Sequence, residues 1–154
     1  MSRVILVATH RSTAADHVVR RAIGLATATG ASLHAVSVVQ NQSVGAPVGD
    51  AGAEALASAA WEAETAATIA LTRAAEAARA AGVDVTEHLV HGDPAMQIAV
   101  VADAVEADIV VIGSRGLDAA GRHVLGSVPE RFLFDAHGHD VFVVRPDSPA
   151  DLLG

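Results

Sequence analysis

The stretch DIVVIGSRGLDAAGRHVLGSVPE, residues 108–130, contains a strand signal, a glycine-rich loop and a helix start in immediate succession. Its apolar run Ile109–Ile112 predicts a buried strand that ends at Gly113. Ser127 and Glu130 have the S-x-x-E spacing of a capping box, which predicts a helix with Ser127 as its N-cap. Glycines let backbone amides approach a ligand closely, and a helix N-terminus carries partial positive charge. The stretch therefore predicts an anion site, with phosphate as the leading ligand class.

The composition of the chain fits one globular domain and excludes several classes of function. Residues 1–146 are predicted to form the domain and residues 147–154 a C-terminal tail. The net charge is −8 and the chain has no lysine, which argues against nucleic acid or an anionic membrane as the main partner. The absence of cysteine excludes disulfides and thiolate catalysis. Without an apolar run long enough to span a bilayer, a soluble cytoplasmic protein is expected.

Strand-like and helix-like segments alternate along the chain, which predicts an α/β fold with a parallel sheet and helices on both faces. In such sheets, ligands bind beyond the carboxyl ends of the strands. If the first and fourth strands are neighbours, the binding crevice lies between residues 9–12 and 113–127. The sequence alone leaves the strand order open. A loop is expected at residues 40–52, strands at 4–8, 32–39, 83–90, 108–112 and 141–144, and helices at 13–29, 53–81, 94–106 and 128–136.

Several of these landmarks together resemble the universal stress protein family over nearly the whole chain. They are the opening VILVAT with Ser12, the GDPA turn at residues 92–95, and the segment 109–144. The nucleotide-binding branch of that family has the pattern G-x-x-G, nine residues, then G-[S/T]. Residues 113–116 and 126–127 satisfy it completely. The resemblance implies an open, Rossmann-like five-stranded parallel sheet of order 3-2-1-4-5 and a homodimer formed through the last strand.

The resemblance also implies that ATP, with or without Mg²⁺, lies across the ends of the first and fourth strands. His10 stands where the family commonly has an aspartate that contacts adenosine, and Pro129 stands where serine or threonine is frequent. Arg115 in the loop offers charge to the phosphates. By this resemblance the remaining nucleotide-binding residues are Gly113, Gly116, Gly126, Ser127 and Val128 at the phosphates and ribose, and Ala8, Val39 and Ile112 at the base or sugar.

Other interpretations of the same sequence stay open. The family acts in stress survival, so the chain is expected to be a dimeric regulatory module. One alternative is a nucleotide-independent dimer that recognises a partner protein, and another is a pH-sensitive module that uses His10. No catalytic constellation is visible, so at most a slow ATPase is expected. The histidine pairs at 88/91 and 137/139 favour exposed or strand-edge side chains over a metal site, and Trp61 favours a packing or interface role.

Overall fold

The computed structural model describes residues 3–40, 49–114, 126–135 and 138–145, and within these ranges strands and helices alternate. The first three elements have the bounds that the sequence predicts. Helix α2 begins at Asp50, so the end of the loop expected at 40–52 is helical; residues 41–48 lie outside the described ranges. The elements are β1 Val4–Ala8, α1 Thr13–Thr29, β2 Ser32–Val39, α2 Asp50–Ala80, β3 Val85–His91, α3 Pro94–Ala104, β4 Ile109–Gly113, α4 Ser127–Asp135 and β5 Asp140–Val144.

The strands form one parallel sheet of order β3-β2-β1-β4-β5, which confirms the expected topology. In the central register, Leu6 of β1 is opposite His34 of β2 on one side and Val110 of β4 on the other. The chain moves outward in one direction through β2 and β3 and in the other through β4 and β5. The carboxyl ends of β1 and β4 are therefore neighbours at the point where the winding reverses, which is where such sheets bind ligands.

Local signals explain where α1 and α3 begin. The Ser12 hydroxyl accepts from the amide of Ala15 at 3.0 Å and caps α1. Helix α1 ends at Gly30, whose φ of 69° is left-handed and suits glycine. The Asp93 carboxylate caps α3 by accepting from the amide of Met96 at 3.0 Å. Pro94 is the first helical residue, where an amide hydrogen would have no acceptor within the helix, so proline costs no hydrogen bond there.

Alternation along the strands divides the core into two layers. Odd-numbered residues of β1 and β2, such as Ile5 and Leu33, pack against α1 and α2. Even-numbered residues, such as Leu6 and Val36, pack against α3 and α4, where Phe132 is fully buried. Small side chains from α1 and α2 fill most of the first layer, so that the helices can lie close to the sheet.

Helix α2 is buried mainly in its second half. Its buried alanines are Ala67, Ala70, Ala74, Ala75 and Ala78, whereas Ala77 is exposed. Trp61 is 74% exposed, so it does not pack in the core, and the interface role stays a prediction. The physical reason is that, apart from Gly52, the buried positions of α2 begin only at Ala67. No helix in the described ranges combines the length and apolar character needed to cross a membrane.

His139, just before β5, joins that strand to the end of α3. Its Nδ1 lies 2.6 Å from the carbonyl oxygen of Ala107, and its Nε2 lies 2.6 Å from Asp103 Oδ1. Both partners are acceptors, so both ring nitrogens donate only when the imidazole is protonated. The side chain is 8% exposed and lies just before the edge strand β5, so of the two expected positions, exposed or strand-edge, His139 has the second. The hydrogen bond to Asp103, followed by that to Ala107, raises the pKa of His139 above its ordinary 6.5.

This raised pKa predicts a specific loss of stability at alkaline pH. A folded-state pKa above the unfolded value stabilises the fold fully below the unfolded pKa, and the gain disappears as pH rises through the folded value. Because Asp103 is 74% exposed, we expect a contribution of only about 1 kcal/mol. Urea unfolding of wild type and His139→Gln should differ by this amount at about pH 5.5, and the difference should shrink as the pH rises through and above the folded pKa. A difference that grows toward alkaline pH would contradict the assignment.

Candidate functional site

A cavity of about 460 Å³ opens at the carboxyl ends of β1 and β4. Its wall is formed by the carboxyl ends of the strands, by Arg145 directly after β5, and by the first turns of α1, α3 and α4. The lining residues are Ala8, Thr9, His10, Ala14, Ala15, Val18, Val36, Val38, Gln40, Pro94, Ile98, Ile112, Gly113, Ser114, Ser127, Val128, Pro129, Val144 and Arg145.

The lining has an apolar part, and its described residues include no acidic side chain. Side chains such as Val38 and Ile98 form an apolar surface suited to a flat ring. Among the described lining residues there is no aspartate or glutamate, whereas His10 and Arg145 are present. In a chain with a net charge of −8 this local lack of carboxylates is a clear departure from the average surface. It favours an anionic ligand or an anionic group on a ligand.

The start of α4 differs by one residue from the prediction. The carbonyl of Gly126 accepts from the amide of Glu130 at 3.0 Å, so this carbonyl takes the first helical hydrogen bond. Ser127 is therefore the first helical residue and not the N-cap, and the capping-box assignment is wrong. The amide of Gly126 donates to the carbonyl of Ser114 at 3.2 Å, and the Ser114 amide donates to Val144 at 2.9 Å. These two bonds tie the start of α4 to the ends of β4 and β5.

This start brings two amide-bearing residues to the cavity wall. Ser127 and Val128 both line the cavity, and first-turn amides have no acceptor within their own helix. Pro129 has no amide hydrogen, and the Glu130 amide is already used. The partial positive charge of the helix N-terminus is thus concentrated on two donors beside the apolar surface, an arrangement that suits phosphate or carboxylate oxygens.

A model of the universal stress protein family matches residues 1–145. The chain belongs to that family. A universal stress protein of Methanocaldococcus jannaschii, MJ0531, is 35% identical over 65 residues, which span 42% of this chain and 38% of that relative. UspA from Lactobacillus plantarum has a TM-score of 0.78 at 23% identity, over 93% of this chain and 97% of its own. A universal stress protein solved in complex with cAMP has a TM-score of 0.71 at 30% identity, over 94% and 98%.

In this universal stress protein His10 occupies the wall of the cavity that its sequence position predicts. It lies two residues beyond β1, and its carbonyl accepts from the Ser12 amide at 3.0 Å, just before the cap of α1. His10 is one of the residues that line the cavity, and about 460 Å³ remains open beside it. An imidazole offers a donor and an acceptor in its neutral form, where a carboxylate would offer only acceptors.

Most of the described residues that the sequence assigned to the site come together. Val39 is not among the residues that line the cavity, and strand alternation puts it on the same side of β2 as Leu33 and Ala35. Gly126 is buried beside the cavity and is tied to Ser114. Arg115 and Gly116 lie outside the described residues. The predicted residues that do line the cavity are Ala8, His10, Ile112, Gly113, Ser127 and Val128.

Sequence reasoning missed several lining residues that the strand geometry brings in. Val36 and Val38 of β2 lie on the same face of the sheet as Leu6 and Ile112, and the register that puts Val36 opposite Ala8 is needed to find them. Arg145 directly follows β5, and all carboxyl ends of a parallel sheet meet at one edge, so its arrival is readable in principle. Gln40, which follows β2, arrives at the cavity for the same reason.

The histidines form pairs other than those that are close in sequence. His34 Nδ1 lies 2.8 Å from His88 Nε2 across β2 and β3, with ring centroids 5.1 Å apart and ring planes 23° apart. The rings therefore meet edge to edge through an N–H···N hydrogen bond. Burial lowers the pKa of both, and His88 further lowers that of His34. Across the described residues, no three histidine or carboxylate side chains are grouped so as to hold a metal ion.

Proposed function

We propose that this universal stress protein binds an adenine nucleotide, with ATP as the first ligand to test. The observation that supports this is the cavity itself, in which an apolar surface adjoins the amide-bearing start of α4 with no acidic side chain among the described lining residues. The base would lie against Val36, Val38 and Ile98, and the phosphates at Ser127 and Val128. The relative bound to cAMP, at 30% identity, supports the same ligand class.

Each polar group at the cavity has a proposed role. The amides of Ser127 and Val128 and the Ser127 hydroxyl would donate to phosphate oxygens, and Arg145 would add positive charge. His10 would contact the ribose or base in place of the family's carboxylate. Gly113 and Gly126 would let the backbone approach the ligand, and the loop residues Arg115 and Gly116 stay predicted phosphate contacts.

Magnesium fits this site as a companion of the phosphates. Mg²⁺ is usually held by one or two carboxylates together with substrate phosphates. Because the described lining has no carboxylate, the ion would reach the protein on the nucleotide, and hydrolysis would be slow. We therefore propose a regulatory nucleotide-binding module in the stress response that turns over ATP slowly at most.

The proposed assembly is a homodimer through β5. This strand is at the edge of the sheet, and its Phe142 is 43% exposed. An apolar edge strand is an aggregation risk unless something covers it, and pairing with a second copy would do so. Light scattering should give twice the mass of the 15.6 kDa chain; a monomer at all concentrations would exclude the dimer.

The nucleotide proposal is tested on gently purified wild-type protein. Native mass spectrometry should show a co-purified adenine nucleotide, and calorimetric titration should show binding of ATP or cAMP in preference to GTP. Millimolar ATP should raise the melting temperature, since a ligand specific to the folded state must stabilise it. A protein that is bare, shows no heat of binding and melts identically with and without ATP would overturn the proposal.

The same result would favour a second function, a nucleotide-independent module that recognises a partner protein. Two observations support it: His10 stands in place of an acidic contact, and Pro129 removes one amide from the first turn of α4. In that case the family fold would serve only to support a surface that binds the partner protein. Binding of ATP with a matching rise in melting temperature would exclude this alternative.

A further inference from the structure

The two carboxylate oxygens of Asp93 bind different helices. Oδ2 accepts from the amide of Met96 at 3.0 Å and caps α3. Oδ1 lies 2.6 Å from Nη1 of Arg131, which projects from α4. The hydrogen bond from Arg131, followed by that from Met96, holds the pKa of Asp93 below its ordinary value, so the carboxylate is charged at neutral pH. One side chain therefore joins the beginning of α3 to the middle of α4, one turn after its first residue.

The first residues of both α3 and α4 line the cavity. Pro94, the residue after Asp93, lines it from α3, and Ser127 lines it from α4. Arg131 follows Ser127 by four residues, which is about one helical turn. Its neighbour Phe132 is fully buried between α4 and the sheet and fixes the middle of the helix. The ion pair adds a second attachment on the side of α4 that faces α3.

We propose that Asp93 and Arg131 are a positioning pair that holds the first-turn amides of α4 at the distance at which they bind the phosphates of the nucleotide. This inference rests on the proposed nucleotide binding. Neither side chain needs to touch the ligand: Asp93 is itself beside the lining residue Pro94, and Arg131 is one turn beyond Ser127. The pair acts by limiting how far the start of α4 can move relative to α3. Preorganised donors bind more tightly than donors that must be ordered on binding.

The chain contains a matched control for this pair. Arg73 of α2 binds Asp16 of α1, and the side-chain exposures are 54% and 31%, against 51% and 35% for Arg131 and Asp93. The two pairs have the same residue types and nearly the same solvent access. Neither Arg73 nor Asp16 is among the described residues that line the cavity. A general effect of losing an exposed ion pair will therefore be the same in both.

The experiment compares wild type with Asp93→Asn, Arg131→Gln, the double variant and the control Arg73→Gln. Asparagine caps a helix as well as aspartate, so Asp93→Asn removes the ion pair and retains the cap of α3. Calorimetric titration gives the affinity for ATP, and displacement of bound ATP gives that for adenosine, which lacks phosphates. Hydrogen exchange of unliganded protein reports independently on the start of α4 through its two hydrogen-bonded amides, those of Gly126 and Glu130.

We expect each single variant at the pair to bind ATP about threefold more weakly, the size of effect that an exposed ion pair supplies. The double variant should be no weaker than the singles, because both remove the same interaction. Adenosine affinity should stay as in wild type, Arg73→Gln should match wild type for both ligands, and amide exchange at the start of α4 should quicken only in the variants of the pair.

The outcomes separate this inference from the proposed function. Full ATP affinity and unchanged exchange in Asp93→Asn and Arg131→Gln would overturn the positioning role and leave nucleotide binding intact. Equal loss of ATP and adenosine affinity would also overturn it, since that would indicate general damage to the cavity. A wild-type protein that binds no ATP would overturn both proposals.

Discussion

Replacing Ser127 with aspartate is expected to weaken ATP binding by at least about tenfold while the fold stays intact, since a like charge is placed beside the phosphates. Ser127 is the first residue of α4 and lines the cavity, so the new carboxylate would stand where the phosphates are proposed to lie. An acidic residue in the first turn complements the helix dipole, so α4 itself should become slightly more stable. Loss of affinity without loss of stability is therefore the expected signature.

The matched control is Ser127→Asn, which has nearly the shape of aspartate and no charge. Calorimetric titration should give it an ATP affinity within about threefold of wild type, because it retains hydrogen-bonding groups at the cavity. Adenosine should bind all three proteins equally. If Ser127→Asp binds ATP as well as wild type does, the phosphates are not at the start of α4, even if ATP binds elsewhere in the cavity.

Replacing Phe132 with alanine is expected to reduce the free energy of unfolding by about 3–5 kcal/mol, the usual cost of truncating a fully buried aromatic side chain. Phe132 is the largest fully buried side chain among the residues that the structure describes, and it packs with Leu6 and Ile98 between the sheet and the helices α3 and α4. The change removes apolar contacts and leaves a cavity that the central strands are too rigid to fill. Urea unfolding followed by circular dichroism measures the loss.

The neighbouring residue provides the comparison. Leu133 is 44% exposed on the same helix, so Leu133→Ala should cost no more than about 1 kcal/mol, as for other partly exposed sites. Both variants place alanine in the same helix, so they differ little in helix propensity. The difference between their unfolding free energies therefore measures mainly the effect of burial. Equal costs for the two substitutions would mean that α4 does not pack on the sheet through Phe132.

The sequence predicts the fold where local signals are strong and agree with one another. The bounds of α1 follow from Ser12 and Gly30, a side-chain cap and a left-handed glycine that act within one turn of the helix. Alternating strands and helices then require a parallel sheet. The strand order came from the family resemblance, and the sheet confirms it.

Predictions about the site differ from the structure where one sequence pattern is compatible with two local structures. Ser127 and Glu130 have the spacing of a capping box, yet the carbonyl of Gly126 takes the first helical bond and moves the helix start by one residue. Val39 was assigned to the cavity by analogy, but the alternation of β2 turns it to the other face. Such choices depend on where a neighbouring strand or helix lies, and that information is not local.

Pairs that join distant segments could not be predicted at all. His34 and His88 are 54 positions apart, and His139 and Asp103 are 36 positions apart, so no spacing rule relates them. They meet because parallel strands and their crossover helices bring the corresponding ends together. For the same reason the Asp93–Arg131 pair becomes visible only once α3 and α4 are in place.

The last strand takes part in two surfaces at once. Val144 lies in the wall of the cavity and is linked through Ser114 and Gly126 to the first turn of α4, while the same five-residue strand forms the rim of the sheet. If a ligand in the cavity changes the affinity of dimerisation through this edge strand by some factor, dimerisation must change the affinity for that ligand by the same factor. Measuring dimerisation at several ligand concentrations, and ligand binding at several protein concentrations, would therefore give the same coupling factor.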